Sequence, residues 1–378
     1  MSLFPLINQY FNRKLLLNIL ENDRVANAYL FYGPEGGGHE GFALEFTAML
    51  NCTSSNERPC GKCPSCRKMK TLEHANLQLI FPMPIKKDTS SDNKPFKSLS
   101  QSEIAEIQNI IRKKAENPYE KISIPNAKHI SINFIREIKR TIYLTSPEKG
   151  WKVVIVFDAH LMTEQASNAF LKILEEPPPK SVFILTSSNP SNLIPTIQSR
   201  CQPIYFPPLS LSSIEPLLSS KGIPESSRRL IISLSSGDLN QAIDLSETDL
   251  TKLKENTLEI LRAIAVWNIE KIYKLVETLS ILYKQEPENF TQLMLSLSFW
   301  FRDAAALKIG CPDTELIHSD CKTEISKFVK AFPDFNGFKM NTSIENCIDF
   351  IKHNVYINLA LLNMFFKIRD AINPGKNK

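Results

Sequence analysis

Apolar residues follow two patterns along the chain, and the change from one to the other falls near Pro207. In the first half they gather in short runs. Ala28–Tyr32 (AYLFY), Leu77–Phe81 (LQLIF), Lys152–Phe157 (KVVIVF), Ser181–Thr186 (SVFILT) and Ile204–Phe206 each read as a strand. Lys152–Phe157 is almost continuously apolar, as a strand buried on both faces must be. Helical segments lie around these runs. They are 1–30, with Leu15, Leu16, Leu17 and Ile19 on its apolar face, His39 to Asn51, 101–115, and Ile132–Thr145, with Phe134, Ile135, Ile138 and Ile142 near one face. Another, Glu164–Glu176, is stopped by Pro177, Pro178 and Pro179, because proline cannot continue a helix. Strands alternating with helices predict an α/β domain over 1–207, built on a parallel sheet with helices on both faces. Residues 83–100 are polar and aperiodic and read as an exposed insertion, part of a longer one at 83–127.

Beyond Pro207 no strong strand occurs. Residues 207–227 are rich in Ser and Pro, and 228–245 hold two short helices. From Asp249 to Asp370 the spacing predicts long amphipathic helices, including 257–282, 287–309 and 343–370. A small helical domain at 208–248 and a larger one at 249–378 are expected. No internal repeat is evident.

Composition narrows the class. Of 378 residues, 43% are hydrophobic and 22% charged, which excludes a mostly disordered chain. No run approaches the ~18 apolar residues of a membrane span, and Met1 to Tyr10 lacks a basic stretch followed by an apolar one. A cytoplasmic location with no membrane partner is expected. A net charge of +5 is weaker than that of a protein gripping DNA by itself.

The candidate chemistry sits in four places. Five of the 12 glycines, Gly33, Gly36, Gly37, Gly38 and Gly41, fall within nine residues. A phosphate-binding loop reads G-x-x-x-x-G-K-[ST]: its amides cradle phosphates, its Lys meets them, and its hydroxyl binds Mg²⁺. Here Gly33 and Gly38 frame such a loop after a strand, but His39 stands at the Lys place and Glu40 at the hydroxyl place. Neutral imidazole is shorter than lysine, and a carboxylate repels phosphate, so the loop keeps the shape without the chemistry. Second, Cys52, Cys60, Cys63 and Cys66 include two successive C-x₂-C spacings, helped by Pro59, Gly61 and Pro64. Four thiolates suit a structural tetrahedral zinc site with no open position; the other reading is four reduced or redox-active thiols. His74, a few residues on, reads as a buried structural histidine rather than a spare ligand. Third, Val153–His160 (VVIVFDAH) has the form of a Walker B strand, which normally ends in Asp then Glu. Aligned without gaps, Phe157 takes the Asp place and Asp158 the Glu place; shifted by one residue, the acidic pair is still missing. Fourth, Ser199-Arg200-Cys201 precedes the last short strand. Alone, an arginine there reads as a surface ion pair.

Together these segments resemble the delta-prime subunits of the bacterial DNA polymerase III clamp loader. The residues that carry the resemblance are Asn27-Ala28-Tyr29-Leu30-Phe31-Tyr32-Gly33-Pro34, the four cysteines, Asn168-Ala169-Phe170-Leu171-Lys172-Ile173-Leu174-Glu175-Glu176-Pro177-Pro178, and Ile197-Gln198-Ser199-Arg200-Cys201. They span about residues 5–207; beyond that the likeness rests on helical pattern alone. The resemblance implies a RecA-like AAA+ domain with a zinc module inserted at 52–66, a helical lid at 208–248, and an all-α collar domain at 249–378 that joins a hetero-pentamer with gamma/tau and delta subunits. Through that assembly it implies loading of a sliding clamp on primed DNA. It implies no ATPase activity and no ATP bound by this subunit, structural zinc, and Arg200 acting as an arginine finger in trans on a neighbour's ATP. Gly237-Asp238-Leu239-Asn240 aligns with the lid motif that carries a sensor arginine, placing Asn240 where that arginine would be.

Two rival readings use the same residues. One is an active gamma-type ATPase, which lacks a basic replacement for the loop Lys at His39. The other is a zinc-dependent nucleic-acid-binding protein, suggested by Arg58, Lys62, Arg67, Lys68 and Lys70 around the cysteines.

Overall fold

The computed structural model describes every residue except 1, 8–9, 56, 85–99, 126, 145–147, 313–314 and 374–378. The chain forms two compact units, Met1–Ser213 with Gly237–Asn240, and Ile214–Ser236 with Gln241–Lys378. The segment 208–248 is thus divided between them.

The first unit is built on five parallel strands: β1 (Ala28–Tyr32), β2 (Leu77–Ile80), β3 (Lys152–Val156), β4 (Ser181–Ser187) and β5 (Gln202–Tyr205). Their order in the sheet is β2-β3-β4-β1-β5. The central strands are those with unbroken apolar runs. All seven residues of β4 are buried, as are Val153 to Val156 of β3, because both faces of an interior parallel strand are covered. The edge strand β5 buries only Ile204. Among the described residues its α-helices are α1 (Tyr10–Glu21), α2 (His39–Asn51), α3 (Pro64–Lys70), α4 (Gln101–Glu116), α5 (Ile132–Ile142), α6 (Glu164–Glu175) and α7 (Pro195–Gln198). One core joins sheet and helices, from Phe4 to Phe206, with Phe31, Phe46, Phe170 and Phe183 fully buried. Glu45 on α2 ties down the start of the chain: its carboxylate accepts from the Ser2 hydroxyl at 2.8 Å and from the Leu3 and Phe4 amides.

The second unit is helical: α8 (Leu211–Ser220), which starts at the boundary, α9 (Glu225–Ser235), α10 (Leu239–Glu247), α11 (Leu250–Val266), α12 (Ile269–Gln285), α13 (Pro287–Lys308), α14 (Lys322–Ala331), α15 (Gly337–Lys352) and α16 (Ile357–Ile372). A second core runs from Ile260 to Ile372 around Trp300, Phe301 and Phe365. Asp303 on α13 pins the loop before α14. It accepts from the Ile317 and His318 amides at 3.1 and 2.7 Å. His318 also reaches Ser296 at 3.2 Å. This Ser-His-Asp array is at most 1% exposed, so it is closed to any substrate and serves packing. Among the described residues no helix is long and apolar enough to cross a membrane.

Several sequence readings need correction. The first helix is not 1–30 but Tyr10–Glu21. The expected helix 257–282 is two, because Trp267 takes a left-handed φ of 51° and Asn268 caps α12 through the Lys271 amide. The expected helix 343–370 is also two, parted at Asn354, which has a φ of 62°. In both cases the apolar spacing continues across the break and hides it. The Ser/Pro-rich stretch contains α8, which tolerates Pro216 internally. The reading of 83–100 as an exposed insertion lies mostly outside the described residues, and Met83 is buried at 2% exposure. The end of Ile132–Thr145 also lies outside them; the described helix stops at Ile142.

Candidate functional site

Two constellations in the first unit bring together chemically capable side chains. The first surrounds the loop between β1 and α2. Gly36 and Gly38 have φ of +67° and +91°, values that side-chain-bearing residues rarely adopt. The loop is packed hard. A Cβ on Gly33 would lie 2.0 Å from the Phe206 carbonyl, one on Gly36 2.2 Å from Asp238 Oδ1, and one on Gly38 3.2 Å from the Tyr119 ring. Of the expected residues, Gly36, Gly38, His39 and Glu40 line one small cavity with Tyr119, Lys121, Asp158 and Asn240. Gly33 does not; its amide instead donates to the Ser187 carbonyl at 3.2 Å. The cavity measures about 40 Å³, which is near the room of one water. Ligand pockets run to about 300–1,000 Å³.

Charges in this cavity are paired internally. Lys114, at the C-terminal end of α4, has no exposed side-chain surface. Its ammonium donates to Glu40 Oε2 and to the Glu120 carbonyl at 2.6 Å, and it lies 5.4 Å from the centroid of Phe157. Burial works against ionising Glu40, but the adjacent Lys114 charge wins and holds its carboxyl below the ordinary value. Burial lowers the pKa of His39, so its imidazole is neutral at pH 7, and its Nδ1 has no protein partner among the described residues. Asp158 follows Phe157 in a left-handed turn of φ 48°. Burial, reinforced by the Glu40 charge and opposed by Lys121, pushes its carboxyl up to about 6. Asn240 does not face open space: its Nδ2 donates to the Tyr119 carbonyl and its Oδ1 accepts from Asn117 at 3.1 Å.

Lys114, Tyr119 and Lys121 are the residues sequence reasoning missed. One signal was available. Lys114 continues the apolar stripe of Ile107 and Ile111 at i+4 and i+7, and a lysine in such a stripe must find a buried partner.

The second constellation is the cysteine knuckle. Cys52 ends α2, and Cys63 caps α3 by accepting from the Cys66 amide at 3.4 Å. The sulfurs of Cys52, Cys60, Cys63 and Cys66 lie within 4.8 Å of one another, and this is the metal-capable group found among the described residues. A tetrahedron with metal–sulfur bonds of ~2.3 Å has sulfurs about 3.8 Å apart, close to that span. Backbone amides point at the sulfurs: Cys60 N to Cys52 Sγ at 3.3 Å and Cys63 N to Cys60 Sγ at 3.4 Å. Burial opposes ionisation of Cys63, yet hydrogen bonds from Thr53 and Cys66 bring its thiol down to about 6, while burial raises the thiols of Cys52 and Cys66. Such donors favour the thiolate, the form that binds metal. The donor set therefore fits a thiolate-loving ion such as Zn²⁺. His74 is engaged elsewhere. Its Nδ1 accepts from the Asn76 amide at 3.1 Å and its Nε2 faces Ser65 and Glu148 at 3.0 and 2.9 Å.

Arg200 belongs to neither group. It lies between α7 and β5 with its side chain 38% exposed, paired with Glu175 at 2.8 Å and donating to the Thr196 carbonyl at 3.2 Å. The next residue, Cys201, is a core thiol that burial pushes up to about 12.

A parallel sheet in the order β2-β3-β4-β1-β5, with a glycine loop between β1 and α2, is the layout of a phosphate-loop α/β domain. The profile of the family described as DNA polymerase III, delta subunit, matches residues 9–210 of the 378. The chain belongs to this family of clamp-loader subunits. It is similar to the DNA polymerase III subunit delta' of Bacillus subtilis, 26% identical over 81% of this chain and 80% of that one. It is also 26% identical to the subunit tau of Bacillus subtilis, over 78% of this chain but 48% of the relative. A DNA polymerase III gamma-subunit-related protein of Thermotoga maritima, a solved structure, aligns over 95% of this chain and 99% of its own at 18% identity and a TM-score of 0.35.

Proposed function

We propose that this chain is a non-catalytic subunit of the DNA polymerase III clamp loader, cytoplasmic, with a degenerate phosphate loop that binds no nucleotide. The carrying observation is the cleft beside Gly36 and Gly38, where only about 40 Å³ remains in a loop that lacks the phosphate-binding lysine. In this reading Arg200 acts in trans on a neighbour's ATP. Its exposed guanidinium, held by the exposed Glu175 carboxylate and the Thr196 carbonyl, supports that role, since an exposed ion pair is worth only about 0–1 kcal/mol and opens readily. The reading also takes 208–248 as a lid and 249–378 as the collar that meets gamma/tau and delta subunits in a hetero-pentamer. Contact with the sliding clamp and primed DNA comes through the complex. Structural Zn²⁺ on Cys52, Cys60, Cys63 and Cys66 stiffens the end of α2; the gathered sulfurs support it.

The test is Arg200→Ala in the full chain, reconstituted with the other loader subunits. Assembly should be intact, while DNA-stimulated turnover at the neighbouring site should fall, on the order of 10³-fold for a full arginine finger. Unchanged turnover would remove Arg200 from the mechanism.

A further inference from the structure

We propose that the chain fills its own nucleotide cleft: the segment from α4 to Ile124 is a resident occupant, and the Lys114 ammonium stands where a divalent cation would sit. This rests on the reading of the chain as a subunit that holds no nucleotide, and it gives a role to residues 100–124.

In a working phosphate-loop ATPase the metal lies between the loop hydroxyl and the Asp that ends the Walker B strand. Aligned without gaps, those places in this chain hold Glu40 and Phe157. Lys114 Nζ is bonded to the Glu40 carboxylate and lies 5.4 Å from the Phe157 centroid, so it sits against both of these positions. The two substitutions make sense as a pair. A carboxylate suits a permanent ammonium better than a hydroxyl does, and an aromatic face accommodates a monocation without adding a second negative charge.

The rest of the segment fills the phosphate space. The Tyr119 ring covers Gly38, and its hydroxyl accepts from the Ile7 amide at 2.7 Å. Asn240, at the sensor-arginine place, is bonded to the Tyr119 carbonyl and to Asn117. A residue position that would read a γ-phosphate here fastens the occupant instead. The segment is anchored by α4, whose capping box joins Ser100 and Glu103 and whose Ile107, Ile110 and Ile111 pack on the sheet core.

The experiment is thermal melting of the full chain with and without millimolar Mg²⁺. Lys114→Ala should melt several degrees below wild type, because the Glu40 carboxylate loses its ammonium partner. Mg²⁺ should restore part of that loss in Lys114→Ala and do nothing for wild type or for Lys114→Ala/Glu40→Gln. An unchanged melting temperature in Lys114→Ala, or no response of that variant to Mg²⁺, overturns the assignment. Should Lys114→Ala fail to fold, hydrogen exchange of the amides of 33–42 in Asn240→Ala decides. Exchange at least about tenfold faster than wild type is expected when the fastener is cut; unchanged exchange overturns the proposal. Binding of Mg-ADP by wild type would instead sink the nucleotide-free reading beneath it, so the two failures are told apart.

Discussion

The glycine loop and the cysteine knuckle flank the same helix, α2, and they differ in where their partners come from. The knuckle is assembled from residues 52–66, and each ligand is fixed by a neighbour a few positions away, as when the Cys63 amide points at Cys60. The loop is completed from far along the chain: Lys114 lies 74 residues from Glu40, and Asn240 lies 121 from Tyr119. A site made of local spacing announces its chemistry in the sequence. A site closed by distant residues announces only its backbone. The comparison also separates two ways of handling charge. The four cysteines gathered in the knuckle could take a cation from solution, whereas Glu40 is given one by its own polypeptide.

Three predictions strain this contrast, from the largest effect to the smallest. Cys63→Ser, or strong chelation, should remove the metal and cost several kcal/mol, about 10 °C in melting temperature. Metal analysis and melting of the full chain check this, and a variant that melts like wild type would mean that the thiols hold nothing structural. Lys114→Met should cost about 3–5 kcal/mol, because a mostly buried carboxylate is left alone. Lys114→Met/Glu40→Gln should recover more than half of that in urea unfolding, and strict additivity of the two single changes would deny the coupling. Asp158→Asn should stabilise the protein at neutral pH. The folded carboxyl titrates at about 6 against an ordinary 3.8, so between those values the folded state holds a proton that the unfolded state has lost. Its contribution to stability therefore falls as pH rises through that window. Removing the charge should add on the order of 2 kcal/mol above pH 6 and nothing below about pH 4. Asn also tolerates the left-handed turn at this position. Equal stability of variant and wild type across that range would show that Asp158 carries no shift.

The same distinction explains what was legible in the sequence. The interior strands β3 and β4 were plain, because unbroken apolar runs such as Lys152–Phe157 are buried on both faces and have few other uses; the edge strand β5 was placed late, Ile204–Phe206 overlapping only the end of Gln202–Tyr205. The glycine turn, the four cysteines and the Ser-Arg-Cys triplet were legible as motifs of short span. The breaks at Trp267 and Asn354 were not, since each depends on one residue entering a left-handed conformation within a continuing apolar period. Helix α8 was hidden by serine and by Pro216, where packing of Ile214 and Leu218 overrides poor propensity. The filling of the cleft was out of reach for another reason. Spacing along one helix can flag Lys114 as buried, but it cannot say that Glu40 is the carboxylate it meets.

The most direct test of the account is calorimetric titration of Mg-ATP and Mg-ADP into the purified full chain, with turnover followed in the same samples. The account predicts no binding heat and no hydrolysis. Saturable binding of either nucleotide would contradict it, and binding with turnover would make this subunit a motor.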